Sequence, residues 1–431
     1  YRSGRRRQQG SGGGMSWGEE RNGSIAGLDL GTTKICVVIA ERVAAGRLRV
    51  IGIAQQPSEG LRRGVIVDAE KTVKAIGEAI RQAELMAGVE VGSVYAGIAG
   101  EHIASLNSSG MVAVGDSGGR IGVLDREKVL EVASAVKVPV DREVLHVLPQ
   151  EFLVDGKRGI PDPVGMYGVR LEANVHVVTG AVTAVQNITR SILRAGVDVR
   201  DIVLEPLASN YAVLDADERQ MGVCMIDIGG GTSDVVVFAK GGLRHSGTIG
   251  LGGQNVTNDV GIGLRTSWAE AERIKCAHGA ALVDIVDAQE QIEVAGVGER
   301  AATPVSRRDL ADIIEARMEE IFMLARRQIF AAMPNAVLGA GIVITGGGAQ
   351  VEGAVELAER VFAAPARLGS PVGLEGMAES IGNPPYATAL GLVLYGAEHQ
   401  GGMADIEVRT MVEDHFDSVF GRMKKWLQTL G

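Results

Sequence analysis

Val223-Cys224-Met225-Ile226-Asp227-Ile228-Gly229-Gly230-Gly231-Thr232-Ser233-Asp234 decides the reading of this chain. An apolar run ends at an aspartate, three glycines and two hydroxyls follow, and Val235-Val236-Val237-Phe238 resumes the apolar pattern. The pattern predicts a strand, a tight glycine turn and a second strand. Glycines let backbone N–H groups approach an anion without side-chain obstruction, so such a turn can cradle phosphate. The Thr232 and Ser233 hydroxyls can donate to phosphate oxygens. Asp227, at the strand end, suits a hydrated magnesium ion, which keeps most of its waters and takes few carboxylates. Taken singly, the stretch also reads as an ordinary glycine-rich hairpin, with its aspartate capping the turn.

The grammar recurs about two hundred residues earlier in Ile25-Ala26-Gly27-Leu28-Asp29-Leu30-Gly31-Thr32-Thr33-Lys34-Ile35-Cys36-Val37-Val38. A duplicated fold with two phosphate loops facing one nucleotide follows from the repeat. Asp29 and Asp227 become the metal-shell carboxylates; Gly31, Thr32, Thr33 and Lys34 form the first loop, and Gly229, Gly230, Gly231 and Thr232 the second. Lys34 is expected to point at phosphate. A third glycine turn, Gly346-Gly347-Gly348, ends the run Ile342-Val343-Ile344-Thr345 and is expected to open a helix from Gln350, whose N-terminus would receive the adenosine side. Neither phosphate hairpin has the G-x-x-x-x-G-K-[ST] spacing of a Walker loop.

The ordered set of two phosphate loops and an adenosine turn resembles the actin superfamily of ATPases. Within it, Gln82-Ala83-Glu84-Leu85-Met86-Ala87, Val144-Leu145-His146-Val147-Leu148-Pro149-Gln150-Glu151 and Asn383-Pro384-Pro385-Tyr386-Ala387-Thr388-Ala389-Leu390-Gly391-Leu392 resemble the FtsA family of actin-like bacterial cell-division proteins. The resemblance runs from about Ile25 to the last residue. It implies an α/β fold of two lobes, a small inserted α/β subdomain and a C-terminal amphipathic helix. It also implies ATP and magnesium as cofactors and at most a slow ATPase activity. The family polymerises on the inner face of the cytoplasmic membrane at the division septum and anchors filaments of the tubulin-like protein FtsZ there. Anionic lipid, the FtsZ C-terminal peptide, further copies of the chain and later division proteins are the implied partners.

Composition sets outer limits. The 431 residues suffice for two or more domains, and a net charge of −10 argues against nucleic acid as a main partner. Cys36, Cys224 and Cys276 show no metal or disulfide spacing and read as small core residues of a reducing compartment. No run reaches the roughly eighteen apolar residues of a membrane span. Residues 1–23 are read as a disordered extension with Met15 as a natural start.

The expected organisation is a first lobe from 24–92 and 170–214, also receiving 384–397, with an insert at 93–169. The second lobe is 215–383, including a partner-binding subdomain at 254–334. Helices are expected from Asp68 to about Ala87, at 126–136, at 183–195 and from Ser306 onward. Strands are expected near 281–286 and 291–294. The insert carries no acid pair, metal cluster or glycine loop, so it reads as an interaction surface, and the resemblance assigns it to self-assembly. Glu205, followed by Pro206 at a helix start, is the candidate to orient an attacking water. Glu272 and Lys275 share one helix face; the resemblance gives that pair to ribose and base, and an ordinary surface ion pair is the alternative. By the same resemblance Arg317 and Glu320 would contact FtsZ, where solvated helix charges are the plain reading.

A linker is expected at 398–414 and a helix at 415–431. Its apolar residues include Phe416, Val419, Phe420, Met423, Trp426, Leu427 and Leu430, within an arc of roughly 120° at about 100° per residue. Arg422 and Lys424 flank the arc and Lys425 lies opposite, the pattern of a helix lying in a membrane interface beside anionic lipid. Docking of this helix back onto protein is the alternative. A soluble metabolic kinase or phosphatase of the same superfamily is the competing function; it would need a catalytic aspartate in a substrate cleft and no such tail.

Overall fold

The computed structural model describes residues 23–43, 46–115, 119–298, 301–376 and 381–399. The N-terminal extension, most of the expected 398–414 linker and the whole 415–431 helix lie outside the described residues.

The first hairpin forms as its sequence dictates. Ser24–Leu30 turns into Lys34–Arg42, which pairs antiparallel with Leu48–Pro57. On the other side, Ser93–Ile98 and Asp198–Leu204 add as parallel strands, and the short Leu374–Glu375 closes the far edge beside Leu48 and Arg49. Ile25, Leu28, Ile35, Val37 and Ile39 are all buried, which is why these strands read as unbroken apolar runs rather than alternating ones.

The second hairpin repeats the plan. Val223–Ile228 turns into Ser233–Ala239, which pairs with Gly242–Ile249, while Ile342–Thr345 and Ala366–Leu368 lie parallel on the opposite side. Both sheets therefore share a three-strand meander followed by two parallel strands, in the same order, and the first adds Leu374–Glu375 at its meander edge. Two helices run between them, Glu205–Val213 and Ala387–His399. They cross where a Cβ on Gly391 would stand 2.1 Å from the Ala208 carbonyl oxygen, so only glycine permits the approach.

Helix signals held where capping residues set them. Asp68 accepts from the Lys71 N–H at 3.2 Å to start Ala69–Ala87, and Gly88 ends it at φ +69°. Ser267 starts Trp268–His278 and Ser306 starts Arg307–Ala332. The long helix buries Leu310, Ile314, Met318, Ile321, Phe322 and Ile329 as the core of the second lobe. The expected strand at 281–286 is instead a 3-10 turn, Val283–Ile285, whose Val283 N–H donates to Glu315 Oε2 at 2.6 Å. The strand Thr303–Ser306, pairing with Gln291–Val294, was not foreseen.

The insert required the largest correction. Its sheet has the order Ala104–Ala113, Arg170–Ala181, Arg142–Val154, Lys157–Ile160. Arg170–Ala181, assigned to the first lobe, is a central strand of this sheet, while Ser93–Ile98, assigned to the insert, belongs to the first lobe. The insert thus begins near residue 100 and ends near 181 rather than spanning 93–169. Its helix is Val123–Ser134, starting before the expected residue 126 because the Asp125 carboxylate accepts the Gly122 N–H at 2.9 Å and closes the first turn. One face of the sheet buries Ala173, Val175 and Val177 against Val129, Leu130 and Ala133 of that helix. Glu398 and His399, expected in the linker, complete the last helix instead; His399 is buried and stacked on Tyr395 at 3.9 Å between ring centroids.

Candidate functional site

Duplication brings the two hairpins face to face. Asp29 and Asp227 are each the penultimate residue of the first strand of their hairpin, and both line a cleft of about 520 Å³. The same cleft is lined by Gly31, Thr32, Thr33 and Lys34 from one side and by Gly229, Gly230 and Thr232 from the other. Gly346, Gly347 and Gly348 close one wall, and Glu205, Glu272 and Lys275 also reach the cavity.

Gly231, chosen to cradle phosphate, does not line the cleft. A Cβ on Gly231 would lie 2.8 Å from Thr32 Oγ1, and one on Gly230 would lie 2.4 Å from Thr33 Cγ2. The glycines let the two loops interlock across the lobes, a demand that a single-hairpin reading cannot contain. The second loop is closed by the Gly229 N–H donating to the Thr232 carbonyl at 2.9 Å. Its Gly229 and Gly230 carbonyls accept from the Gly253 and Gln254 N–H groups, at 2.9 and 2.8 Å. Those two amides, at the start of the helix Gly253–Gly263, are therefore already engaged.

Of the carboxylates that line the cavity, four are deeply buried: Asp29, Glu205, Asp227 and Asp234. Burial, offset in part by the Lys34 charge and reinforced by Asp227, pushes Asp29 from its ordinary 3.8 up to about 7. Burial raises Asp227 as well, against hydrogen bonds from Ser209 and Thr388. Asp234 rises to about 7 through burial, with the Thr248 hydrogen bond opposing and the Asp227 charge adding to it. Glu205 is pushed well up by burial and then by Asp29, Asp234 and Asp227. Among the described residues no three acids, histidines or cysteines stand close enough to ligate a metal directly. The donor set fits a hydrated divalent cation held through its water shell, which would relieve this mutual repulsion.

Asp227 is gripped by both crossing helices: the Ser209 Oγ donates to its Oδ2 at 2.9 Å and the Thr388 Oγ1 lies 3.4 Å away, with the two hydroxyls 3.0 Å apart. Neither hydroxyl was singled out from the sequence, although Ser209 lies mid-way along the helix that Glu205 opens and Thr388 in the first turn of Ala387–His399. Nor was Asp234 given a role. Lys34 differs from expectation: its Nζ donates to the Pro385 carbonyl at 2.5 Å and sits 4.5 Å from the Tyr386 ring centroid, so it ties the first loop to the start of the last helix.

The strand Asp198–Leu204 delivers Glu205 to the first position of its helix, with Pro206 in the first turn, as read. A Cβ on Gly97 would fall 2.9 Å from Glu205 Cγ, so the neighbouring strand makes room for that side chain. Glu272 and Lys275 pair at 2.7 Å, and Lys275 also donates to Thr257 Oγ1 at 2.8 Å and to the Gly253 carbonyl at 3.2 Å. This positions the pair at the cleft rather than on open surface.

The third glycine turn lies against Asp227. Gly346 has φ +84°, and a Cβ there would come within 2.3 Å of Asp227 Oδ1. The turn passes into a 3-10 segment, Gly347–Gln350, and the helix starts only at Ala354, after Gly353 at φ +78°. The expected helix therefore begins at Ala354 rather than Gln350, and it is the glycine turn and the 3-10 segment that border the cleft. Arg317 and Glu320 lie outside the cleft on Arg307–Ala332, where Arg317 makes a bidentate pair with Asp259 at 2.6 and 3.2 Å and also contacts Glu320.

Two family models match the chain: "Cell division protein FtsA" over residues 224–391 and "SHS2 domain inserted in FTSA" over 100–179. The cell division protein FtsA of Pseudomonas aeruginosa is 44% identical over 407 residues, covering 94% of this chain and 97% of its own. That of Escherichia coli K12 is 39% identical over 412 residues, with 94% and 97% covered. Among solved structures, a PilM-PilN type IV pilus biogenesis complex matches with a TM-score of 0.62 at 17% identity, over 86% of this chain and 98% of that one, a likeness of fold alone. The duplicated sheets are the two lobes of an actin-like fold, the four-stranded insert falls where the SHS2 model matches, and with identity of this extent along nearly its whole length the chain belongs to the FtsA family of cell division proteins.

Proposed function

We propose that the cleft binds ATP with magnesium and that nucleotide occupancy governs how this division protein assembles. The observation that carries the reading is the facing pair of hairpins, each presenting one buried carboxylate beside a hydroxyl-rich turn to the same cavity. Asp29 and Asp227 would hold the hydrated ion, which would neutralise phosphate charge. Gly31, Thr32, Thr33, Gly229, Gly230 and Thr232 line the phosphate side, and Gly346, Gly347, Gly348, Glu272 and Lys275 the nucleoside side. Glu205, which lines the same cavity, would orient a water. Burial and the three neighbouring acids favour its protonated form, which cannot accept a proton from that water, and this supports slow turnover.

The remaining roles extend the family reading. The insert would mediate head-to-tail assembly into filaments, by a contact that does not close into a ring. Arg317 and Glu320 would receive the FtsZ C-terminal peptide, with Arg317 exchanging Asp259 for the incoming acid. The apolar face built from Phe416, Phe420, Met423, Trp426 and Leu427, with Lys424 and Lys425, would anchor the protein to anionic lipid on the cytoplasmic side at the septum. No helix among the described residues is long and apolar enough to cross a membrane.

Calorimetric titration of ATP with magnesium tests the site. Asp227→Ala removes the carboxylate that Ser209 and Thr388 position and should abolish magnesium-dependent binding. Unchanged affinity would remove Asp227 from the site.

A further inference from the structure

The insert leaves the first lobe but lies on the second. One face of its sheet is filled by its own helix; the other lies along the strand Gly242–Ile249 of the second lobe. Hydrogen bonds cross that seam beside an apolar part, where Leu148 and Val178 of the insert are buried in one cluster with Leu243 of the strand. Ser105 Oγ donates to the Ser246 carbonyl at 2.8 Å, and Asn107 Nδ2 to the Arg244 carbonyl at 3.3 Å. Gln150 Nε2 donates to the Leu243 carbonyl at 2.9 Å and to Asn107 Oδ1 at 3.0 Å. His176, almost fully buried, bridges the two sides through Asn107 Oδ1 at 2.7 Å and Ser246 Oγ at 2.8 Å.

Both sides of the seam lead to the cleft, at the Ile249 end of the strand. Ile249 is followed by residues 250–253. Leu251 accepts from Ser233 Oγ at 2.8 Å, and the Gly253 N–H donates to the Gly229 carbonyl of the second phosphate loop. The carboxylate of Glu101, at the root of the insert, rests on Gly250 and lies 3.7 Å from Arg63 of the first lobe. Within the insert, His146 Nε2 accepts the Leu204 N–H at 3.0 Å, one residue before Glu205.

We propose that the insert is a strap between the lobes, and that the strand Gly242–Ile249 carries the nucleotide state of the cleft to the insert through the hydrogen bonds of this seam. The hydrogen-bonded part of the seam can exchange partners as the lobes shift while its apolar part, Leu148 and Val178 with Leu243, keeps the two sides together. The strap has a thermodynamic consequence: a ligand that favours one lobe arrangement favours one seam arrangement, and fixing the seam must in turn alter ligand affinity. This inference rests on the nucleotide reading of the cleft, and the experiment separates the two.

Hydrogen exchange is followed on the full-length protein with and without ATP and magnesium. Two variants weaken the seam away from the cleft: Gln150→Ala, and the double variant Asn107→Ala/Gln150→Ala. In the unaltered protein, ATP should slow exchange in peptides covering 227–234 and change it in peptides covering 104–113 and 170–181. In the variants the first response should persist and the second should largely vanish. If the double variant does not fold, Gln150→Ala alone decides by the same criterion. A response confined to 227–234 in the unaltered protein overturns the strap, as does an undiminished insert response in the variants. No response at 227–234 overturns the nucleotide reading, and the strap with it.

Discussion

Asp234→Asn should stabilise the nucleotide-free protein, although it alters a residue facing the cleft. Asp234 is 5% exposed, stands opposite Asp227 in the hairpin register and accepts from Thr248 Oγ1 at 2.6 Å. Burial first, and then the Asp227 charge, raise its carboxyl from 3.8 to about 7, against the Thr248 hydrogen bond. The folded state then binds a proton that the unfolded chain releases. Its destabilising contribution is absent below pH 3.8, grows as pH rises from 3.8 to about 7, and is constant above. A gap of about three pH units, at about 1.4 kcal/mol each, sets a ceiling of ~4 kcal/mol. Asparagine keeps an oxygen for Thr248 and carries no charge, so a gain of about 2–4 kcal/mol is expected at pH 8, shrinking toward pH 5. Urea denaturation in a chelating buffer at both pH values measures it. Equal stability at pH 8, or a difference that does not change with pH, would refute the reasoning.

Gly97→Ala places a methyl group 2.9 Å from Glu205 Cγ; overpacking of about 1–3 kcal/mol should displace that side chain, slowing ATP turnover while nucleotide affinity is retained. Unaltered turnover would take Glu205 out of the reaction. Arg317→Glu sets like charges beside Asp259 and Glu320 and should cost about 1 kcal/mol of stability. It should also weaken binding of the FtsZ C-terminal peptide in fluorescence anisotropy, more at low salt than at high; equal affinity would remove this helix from the interface. Trp426→Glu should abolish co-sedimentation with anionic vesicles and leave ATP binding intact, and a mutant that pellets like the unaltered protein would dismiss the tail as the anchor.

What was legible in the sequence was local. The hairpins at Asp29 and Asp227 announce themselves because a strand end, a glycine turn and a returning strand are contiguous, and their repetition gives the duplicated lobes. Caps at Asp68 and Ser306 fixed helix starts for the same reason. The insert's limits were not legible, because Ser93–Ile98 and Arg170–Ala181 look alike as strands and differ only in the sheet each joins. The interlock of Gly230 with Thr33, the grip of Ser209 and Thr388 on Asp227, and the diversion of Lys34 to Pro385 all depend on residues far apart in the chain. Periodicity carries no trace of them.

The two sheets differ in how they are gathered from the chain, and this sets an order of completion. The second sheet draws all five strands from 223–368, an unbroken stretch. The first begins at Ser24, takes its last strand from Leu374–Glu375 and is roofed by Ala387–His399, which covers Ile25 and Tyr95. Contacts so distant in the chain form late, because a long loop must close before they reward it. During synthesis the second lobe can complete its sheet while the first still lacks its roof. A chain halted after Leu368 would hold one finished sheet and one open core, and the open core would belong to the lobe that carries Asp29.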